Sequence, residues 1–262
     1  MQDELFSVAG RAVLVSGGTR GIGYELARGF AARGAHVVIT GRSRDTVEAA
    51  AVRLQTGGAS VIGLTCDVSD IDAIRRLVDQ VIQQLGRIDT LLNVAGVNTR
   101  KPAELYSPEE YDFIVNTNLR GAFFLSQAVG KKMIERREGN QINIDSYNTY
   151  SPLRHVLPYA MSKSGLVAMT RGLASEWGPH NVRVNSIAPG CISTQLTKKL
   201  WTNPVVYNWS MSNTPLKRLG ECSDLIGAAL FLASDASSFV TGQTIRVDGG
   251  LTAGTAWPID RG

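Results

Sequence analysis

The sequence is poor in the residues that make covalent staples and metal cages. Its three cysteines, Cys66, Cys191 and Cys222, are isolated, odd in number and form no C-x-x-C pair. That excludes a disulfide framework or a zinc ribbon and fits a reducing, cytoplasmic setting. His36, His155 and His180 fall at no metal-ligand spacing, so no metal is expected. No apolar run reaches 18 residues, which argues against a membrane span. The first residues, Met-Gln-Asp-Glu-Leu-Phe, lack the basic and apolar regions of a signal peptide. The net charge of +4 comes without a basic block or an interleaved aromatic stripe, so nucleic acid is not an expected partner. One more absence is local: no acidic residue occurs from Val37 through Arg44.

What is present points to one α/β domain. At 262 residues and 44% hydrophobic content the chain has material for a large single core. Ala12-Val-Leu-Val-Ser16 is a short apolar run suited to a buried parallel strand. It leads into Gly17-Gly-Thr-Arg-Gly-Ile-Gly23 and then a helical pattern carrying Ile22, Leu26 and Phe30. Strand, glycine turn and helix are the context of a dinucleotide-binding turn. Gly17 permits the tight turn, Gly21 lets backbone approach a diphosphate, and Gly23 lets the helix pack on the sheet. The helix N-terminus offers free N–H groups to phosphate.

The alternation continues. Further strands are expected at 36–40, 60–65, 88–92, 141–144, 183–187 and 243–247. Helices are expected at 45–55, 71–85, 159–177 and 224–233, with a long one after Ser107, which forms a capping box with Glu110. Seven strands alternating with helices predict a doubly wound, Rossmann-type parallel sheet with helices on both faces, in a single domain over 1–262. The segment 193–220 departs from the alternation and carries Trp201, Tyr207, Trp209 and Met211. It lies after a strand end, where ligands bind, and reads as a substrate lid or as an aromatic subunit contact.

Two side-chain patterns carry chemistry. Tyr159 and Lys163 stand four residues apart at a helix start, hence on one face, and Ser146 ends the preceding strand. At ~4 Å and an effective dielectric of about 20, a phenolate and an ammonium attract by on the order of 4 kcal/mol. That is enough to bring a phenol from about 10 toward neutrality unless burial cancels it. Such a tyrosine exchanges a proton with a carbonyl or alcohol oxygen, and Ser146 can hydrogen-bond the same oxygen. The second pattern is Arg42 and Arg44 at the end of the second strand. Without a nearby acid for the ribose hydroxyls, they suit the 2′-phosphate of NADP rather than NAD.

Taken in order, these pieces resemble the short-chain dehydrogenase/reductase superfamily over nearly the whole chain. The matching residues are Ser16 through Gly23, Asp67-Val68, Asn93-Val-Ala-Gly96, Asn118, Ser146, Tyr159, Lys163 and Pro189-Gly190. The resemblance implies reversible hydride transfer between NADP(H) and a carbonyl/secondary alcohol. It makes Tyr159 the general acid/base, Ser146 the partner of the substrate oxygen and Lys163 the holder of the ribose hydroxyls. Asn118 would anchor a relay water. Gly17, Thr19, Arg20, Gly21, Ile22, Gly23 and Arg42 would hold the phosphates. Asp67 and Val68 would border the adenine, with Asn93, Ala95 and Gly96 beside the cofactor. Pro189, Gly190, Ile192 and Thr194 would border the nicotinamide. The family also implies a homotetramer through helices near 108–135 and 159–177.

Within the superfamily, Arg100-Lys-Pro-Ala-Glu-Leu and Thr214-Pro-Leu-Lys-Arg-Leu-Gly resemble gluconate 5-dehydrogenase-like sugar-acid and polyol dehydrogenases. A 3-oxoacyl thioester reductase, a bicyclic or small-ketone reductase, and a non-catalytic dinucleotide sensor are the alternatives. The topology places Asn148, Tyr150, Arg154, His155, Trp201 and Trp209 toward a substrate, with Arg100 or Arg154 as carboxylate partner. The sequence departs from the family pattern twice, at Val94 and at Asp145. An acid at Asp145 either places negative charge near the reacting centre or, turned to the opposite face from Ser146 by strand alternation, accepts backbone N–H groups.

Overall fold

Strand alternation decides the layering. Val13 and Val15 of the first strand join one buried cluster, and Leu14 between them joins the other. In the second strand Val37 and Ile39 divide from Val38 in the same way. A strand whose successive side chains are all buried needs cover on both faces. The computed structural model describes residues 4–254, so 1–3 and 255–262 of the expected domain lie outside the described residues.

The elements run β1 (Ala12–Ser16), α1 (Gly21–Ala31), β2 (His36–Gly41), α2 (Arg44–Leu54), β3 (Val61–Thr65), α3 (Ile71–Leu85), β4 (Thr90–Asn93), α4 (Pro108–Val115), α5 (Gly121–Arg136), β5 (Gly139–Ile144), α6 (Leu157–Trp177), β6 (Val182–Pro189), β7 (Ile192–Ser193), α7 (Lys198–Trp201), α8 (Pro204–Asn213), β8 (Gly220–Glu221), α9 (Ile226–Ala233) and β9 (Thr244–Val247). The main sheet is parallel with seven strands in the order β3-β2-β1-β4-β5-β6-β9. Leu26 and Phe30 of α1, Leu54 of α2 and Leu232 of α9 cover one face. Leu77 of α3, Leu125 of α5 and Trp177 of α6 cover the other. The chain steps outward from β1 to β3 and returns to β4, so the order reverses between β1 and β4. A crevice opens at the carboxyl ends there.

Local signals set the helix ends. Asp70 caps α3 by accepting the N–H groups of Asp72 and Ala73 at 2.9 and 3.2 Å, and Gly86 ends it at φ 75°. Ser107 and Glu110 form the expected capping box at the start of α4.

Four details differ from the sequence expectation. The long helix after Ser107 is interrupted by a π-helical turn over Asn116–Arg120. The expected helix at 224–233 begins as a 3₁₀ turn, Cys222–Leu225, before α9. The fourth strand begins at Thr90 rather than 88. Segment 193–220 contains α7 and α8, and its two ends are tied together by a short parallel ladder that pairs Ile192 with Gly220 and Ser193 with Glu221.

Beneath the crevice a polar row crosses five strands in register: Ser16, Asn93, Asn143, Ser186 and Thr244. Asn93 Nδ2 donates to Asn143 Oδ1 at 2.9 Å and to Ser126 Oγ at 2.8 Å, and Asn143 Nδ2 donates to Thr170 Oγ1 at 2.8 Å. These bonds tie β4 and β5 to α5 and α6 just below the reacting level.

Candidate active site

At the carboxyl edge lies a cavity of about 1110 Å³, walled by the glycine turn, the ends of β2 through β6, the start of α6 and the 193–220 segment. It is larger than a pocket for one drug-sized molecule.

The glycine turn forms one end. Gly17 has φ 79°, and a Cβ there would come 2.8 Å from the Ala95 backbone. α1 follows with Arg20 at its N-cap position in extended conformation, with no side-chain capping bond. Among the described residues no capping side chain accepts from the first N–H groups of α1, whose residues Gly21, Ile22 and Gly23 line the cavity, an arrangement suited to phosphate. Arg20 and Arg42 line this end, both exposed and, among the described residues, without an ion-pair partner. Arg44 is different: its Nε donates to Glu48 at 2.7 Å. Thr19, Gly21, Ile22, Gly23, Asp67, Val68, Ala95 and Gly96 line the same wall, and Pro189, Gly190, Ile192 and Thr194 face it from the β6 side. The donor set fits an anionic dinucleotide: an uncapped helix start, backbone too close for side chains, and two unpaired guanidinium groups.

The reacting end is built on β5 and α6. Ser146 Oγ accepts two bonds at 3.2 Å, from the backbone N–H and the side-chain amide of Asn148. With its lone pairs so engaged, the hydroxyl proton is left to point elsewhere, and it acts on the Tyr159 phenol in the direction that stabilises the anion. Asn148 is itself fixed, accepting from Leu153 N–H at 2.9 Å. It thus holds Ser146 as well as lining the cavity.

Lys163 is buried, and its Nζ donates to the Ile144 carbonyl at 2.7 Å and lies 5.7 Å from the Tyr159 ring centre. Burial lowers its pKa to about 8, opposed by the charge of Asp145. The Tyr159 phenol is pushed up: burial is the largest cause, Ser146 opposes it, Asp145 adds to it, and Arg100 opposes it. The sequence expected the lysine to bring this phenol toward neutrality unless burial cancelled the effect; burial is the largest influence, and the groups that oppose it are Ser146 and Arg100 rather than Lys163.

Three named residues lie off the cavity wall. Asn93 is one layer below, in the polar row. Asn118 sits in the π turn, fully buried, where Oδ1 accepts from Val97 N–H at 2.7 Å and Nδ2 donates to the Val97 carbonyl at 2.9 Å and to Ser162 Oγ at 3.1 Å. Its amide pins the loop after β4 to α6, and Thr117 takes the place on the wall. Tyr150 points outward with the Arg246 guanidinium 5.3 Å from its ring centre, and the buried Tyr147 lines the cavity instead. His155, Arg154, Arg100, Trp201 and Trp209 do line it.

Asp145, which the sequence left between a charge near the reacting centre and an acceptor of backbone N–H groups, is a wall residue. It faces β6, where Oδ2 accepts from Ser186 Oγ at 3.0 Å, yet it still borders the cavity because β5 ends there. Burial pushes its pKa up to about 7, against the Ser186 bond, the Lys163 charge and the Ser146 N–H. The signal was the acid itself beside Ser146.

A family model described as enoyl-(acyl carrier protein) reductase matches residues 17–252. The gluconate 5-dehydrogenase of Gluconobacter oxydans is 38% identical, over 95% of this chain and 97% of that one. The 5-keto-D-gluconate 5-reductase of Escherichia coli K12 is 36% identical, over 95% of this chain and 98% of its own length. A crystal structure of a gluconate 5-dehydrogenase from Burkholderia cenocepacia, in complex with NADP and tartrate, is 36% identical and superposes with a TM-score of 0.93 over 96% of this chain and 99% of that one. Match, fold and site agree, and the chain belongs to the short-chain dehydrogenase/reductase family of oxidoreductases.

Proposed function

We propose that the protein is an NADP(H)-dependent oxidoreductase that interconverts a ketone and a secondary alcohol on a sugar acid or polyol. The observation that carries this reading is the meeting of Ser146, Tyr159 and Lys163 at one end of a cavity whose other end presents two unpaired arginines. When bound, the nicotinamide supplies or accepts the hydride at the carbonyl carbon. Arg20 and Arg42 hold the 2′-phosphate, and the Gly17–Gly23 turn with the α1 N-terminus holds the diphosphate. Lys163 holds the ribose. Ser146 donates its free proton to the substrate oxygen while Tyr159 protonates that oxygen in reduction or takes the proton back in oxidation. Burial favours the neutral phenol, the form that reduction consumes.

The sugar-acid part rests on Arg100, an exposed arginine on the cavity wall whose charge acts on both Tyr159 and Tyr147. It suits a substrate carboxylate within reach of the phenol. The names of the Gluconobacter and Escherichia relatives support the same class. Segment 193–220 serves as the lid over one cytoplasmic domain, and exposed Phe113, Phe123, Leu157 and Met161 on α4, α5 and α6 suit a homotetramer. Among the described residues no helix is long and apolar enough to cross a membrane.

The test is reduction of 5-ketogluconate, polyol-derived ketones and neutral ketones with NADPH, in wild type and Arg100→Ala. A KM increase of about 10-fold or more confined to the acid, from loss of a charge-assisted bond, supports the reading. An equal effect on neutral ketones, or turnover of neutral ketones alone, counts against it.

A further inference from the structure

Asp145 is the acidic residue that breaks the family pattern, and its surroundings give it work that accepting backbone N–H groups does not explain. Asp145 is 2% exposed and Lys163 4% exposed, so neither charge is screened by solvent. The lysine ammonium docks on the Ile144 carbonyl at 2.7 Å, the peptide group that leads directly into Asp145. Standard bond lengths along that path cap the distance from ammonium to carboxyl carbon at roughly 9 Å. The two are not in contact, since no ion pair within 4.0 Å joins them. One carboxylate oxygen is oriented by a hydroxyl chain: Ser186 Oγ donates to Asp145 Oδ2 at 3.0 Å and lies 2.6 Å from Thr244 Oγ1. When Ser186 donates its single proton to the ionised Asp145, Thr244 donates to Ser186, and both hydroxyl dipoles favour that form of the acid. Oδ1 is buried and has no partner of full hydrogen-bond geometry among the described residues, while the Ser146 N–H is near enough to the carboxyl to favour its ionised form. Around the carboxyl, α6 contributes Lys163 and Tyr159, β6 contributes Ser186, and β9 contributes Thr244 behind it. Only the lysine among them is a cation.

We propose that Asp145 is a positioning residue for the Tyr159–Lys163 pair, a buried counter-charge that keeps Lys163 an ammonium on the alkaline side of neutrality. This rests on the reading of that pair given above. The lysine needs such help, because burial alone works to neutralise it, and a neutral amine neither holds ribose hydroxyls by three donors nor stabilises a phenolate. With its pKa near 8, the lysine loses charge within the working range, and Asp145 opposes that loss once ionised, above about 7. Below that the acid is neutral and the lysine is charged regardless. The effect of removing Asp145 must therefore grow with pH.

The experiment is Asp145→Asn, with Asp145→Ser as a smaller neutral replacement should the amide disturb folding. Two quantities are followed from pH 6 to 9.5: the NADPH dissociation constant by fluorescence, and kcat/KM for ketone reduction. Removing a buried counter-charge shifts the alkaline fall to lower pH by roughly one unit, so the loss is about two-fold or less at pH 6 and about ten-fold at pH 9. A pH-independent loss, or profiles that superimpose on the wild type, would overturn the proposal, because a carboxyl that only packs has no reason to act more strongly in alkali. If the wild type reduces no ketone, the reading of the catalytic pair fails, and the NADPH-binding profile alone then decides the role of Asp145.

Discussion

Gly23 packs so tightly on the carbonyl oxygen of Gly17 that a Cβ at Gly23 would overlap it, with the next closest atom, the Gly17 carbonyl carbon, at 2.9 Å. First and last glycines of the turn are therefore one packing unit: the helix start is held against the strand end that bends at φ 79°. Gly23→Ala should push α1 away from the turn. The expected outcome is a loss of about 1–3 kcal/mol of stability, as for other overpacked sites, together with much weaker NADPH binding. Thermal melts and fluorescence titration check it; an unchanged affinity would show that the phosphate site does not depend on this contact.

Tyr159→Phe removes the phenol and leaves the ring that Lys163 faces. Turnover should fall about 10²–10⁴-fold, as for loss of a general acid/base, while NADPH still binds. Retention of most of kcat would remove Tyr159 from the mechanism.

Much of this was legible in the chain because it rests on local rules. The β1 run, the glycine turn, the Ser107–Glu110 box and the four-residue step from Tyr159 to Lys163 each depend on short-range geometry. What escaped depends on distant partners. The π turn at Asn116–Arg120 places Asn118 against Val97, 21 residues earlier, a pairing no periodicity announces. Tyr147 turns inward and Tyr150 outward, where the ring of Tyr150 meets the guanidinium of Arg246, 96 residues later. The direction of the Tyr159 shift likewise follows from burial, which a helical spacing cannot report.

The opposite edge of the sheet carries a pH-sensitive lock. Asp89 is buried and accepts the Ala12 N–H, Arg87 Nε and Arg136 Nη2, each at 2.8 Å. Burial pushes its pKa up, but these donors outweigh that and leave it below the ordinary carboxylate value. A depressed folded pKa gives stability that is fully present above the unfolded value of about 3.9 and lost as pH falls through the folded one. Asp89→Asn should cost about 1–3 kcal/mol at pH 7, since it weakens charge-assisted bonds to partly exposed arginines. Urea denaturation should find that gap narrowing as pH drops below about 4. A gap that stays constant with pH would mean packing, not charge, is what Asp89 contributes.

Cofactor choice is the prediction with the most explicit local chemistry. A 2′-phosphate carries about two negative charges and needs fixed donors at the end of β2. Arg42 stands at that end and Arg20 in the turn opposite, and neither is engaged by a carboxylate among the described residues, whereas Arg44 is held by Glu48. Two charge-assisted contacts at about 1.5–3 kcal/mol each set the gross gain. Both arginines are exposed, so screening reduces it, and a net preference of roughly 10- to 1000-fold for NADP over NAD is expected. No carboxylate between Val37 and Arg44 is available to grip the two free ribose hydroxyls of NAD. The Arg20→Ala/Arg42→Ala double variant should lose most of its kcat/KM with NADPH and keep that with NADH nearly unchanged, because only the phosphate contact is removed. Equal or better use of NADH by the wild type would mean that these arginines are solvated side chains and that selectivity lies elsewhere in the cavity.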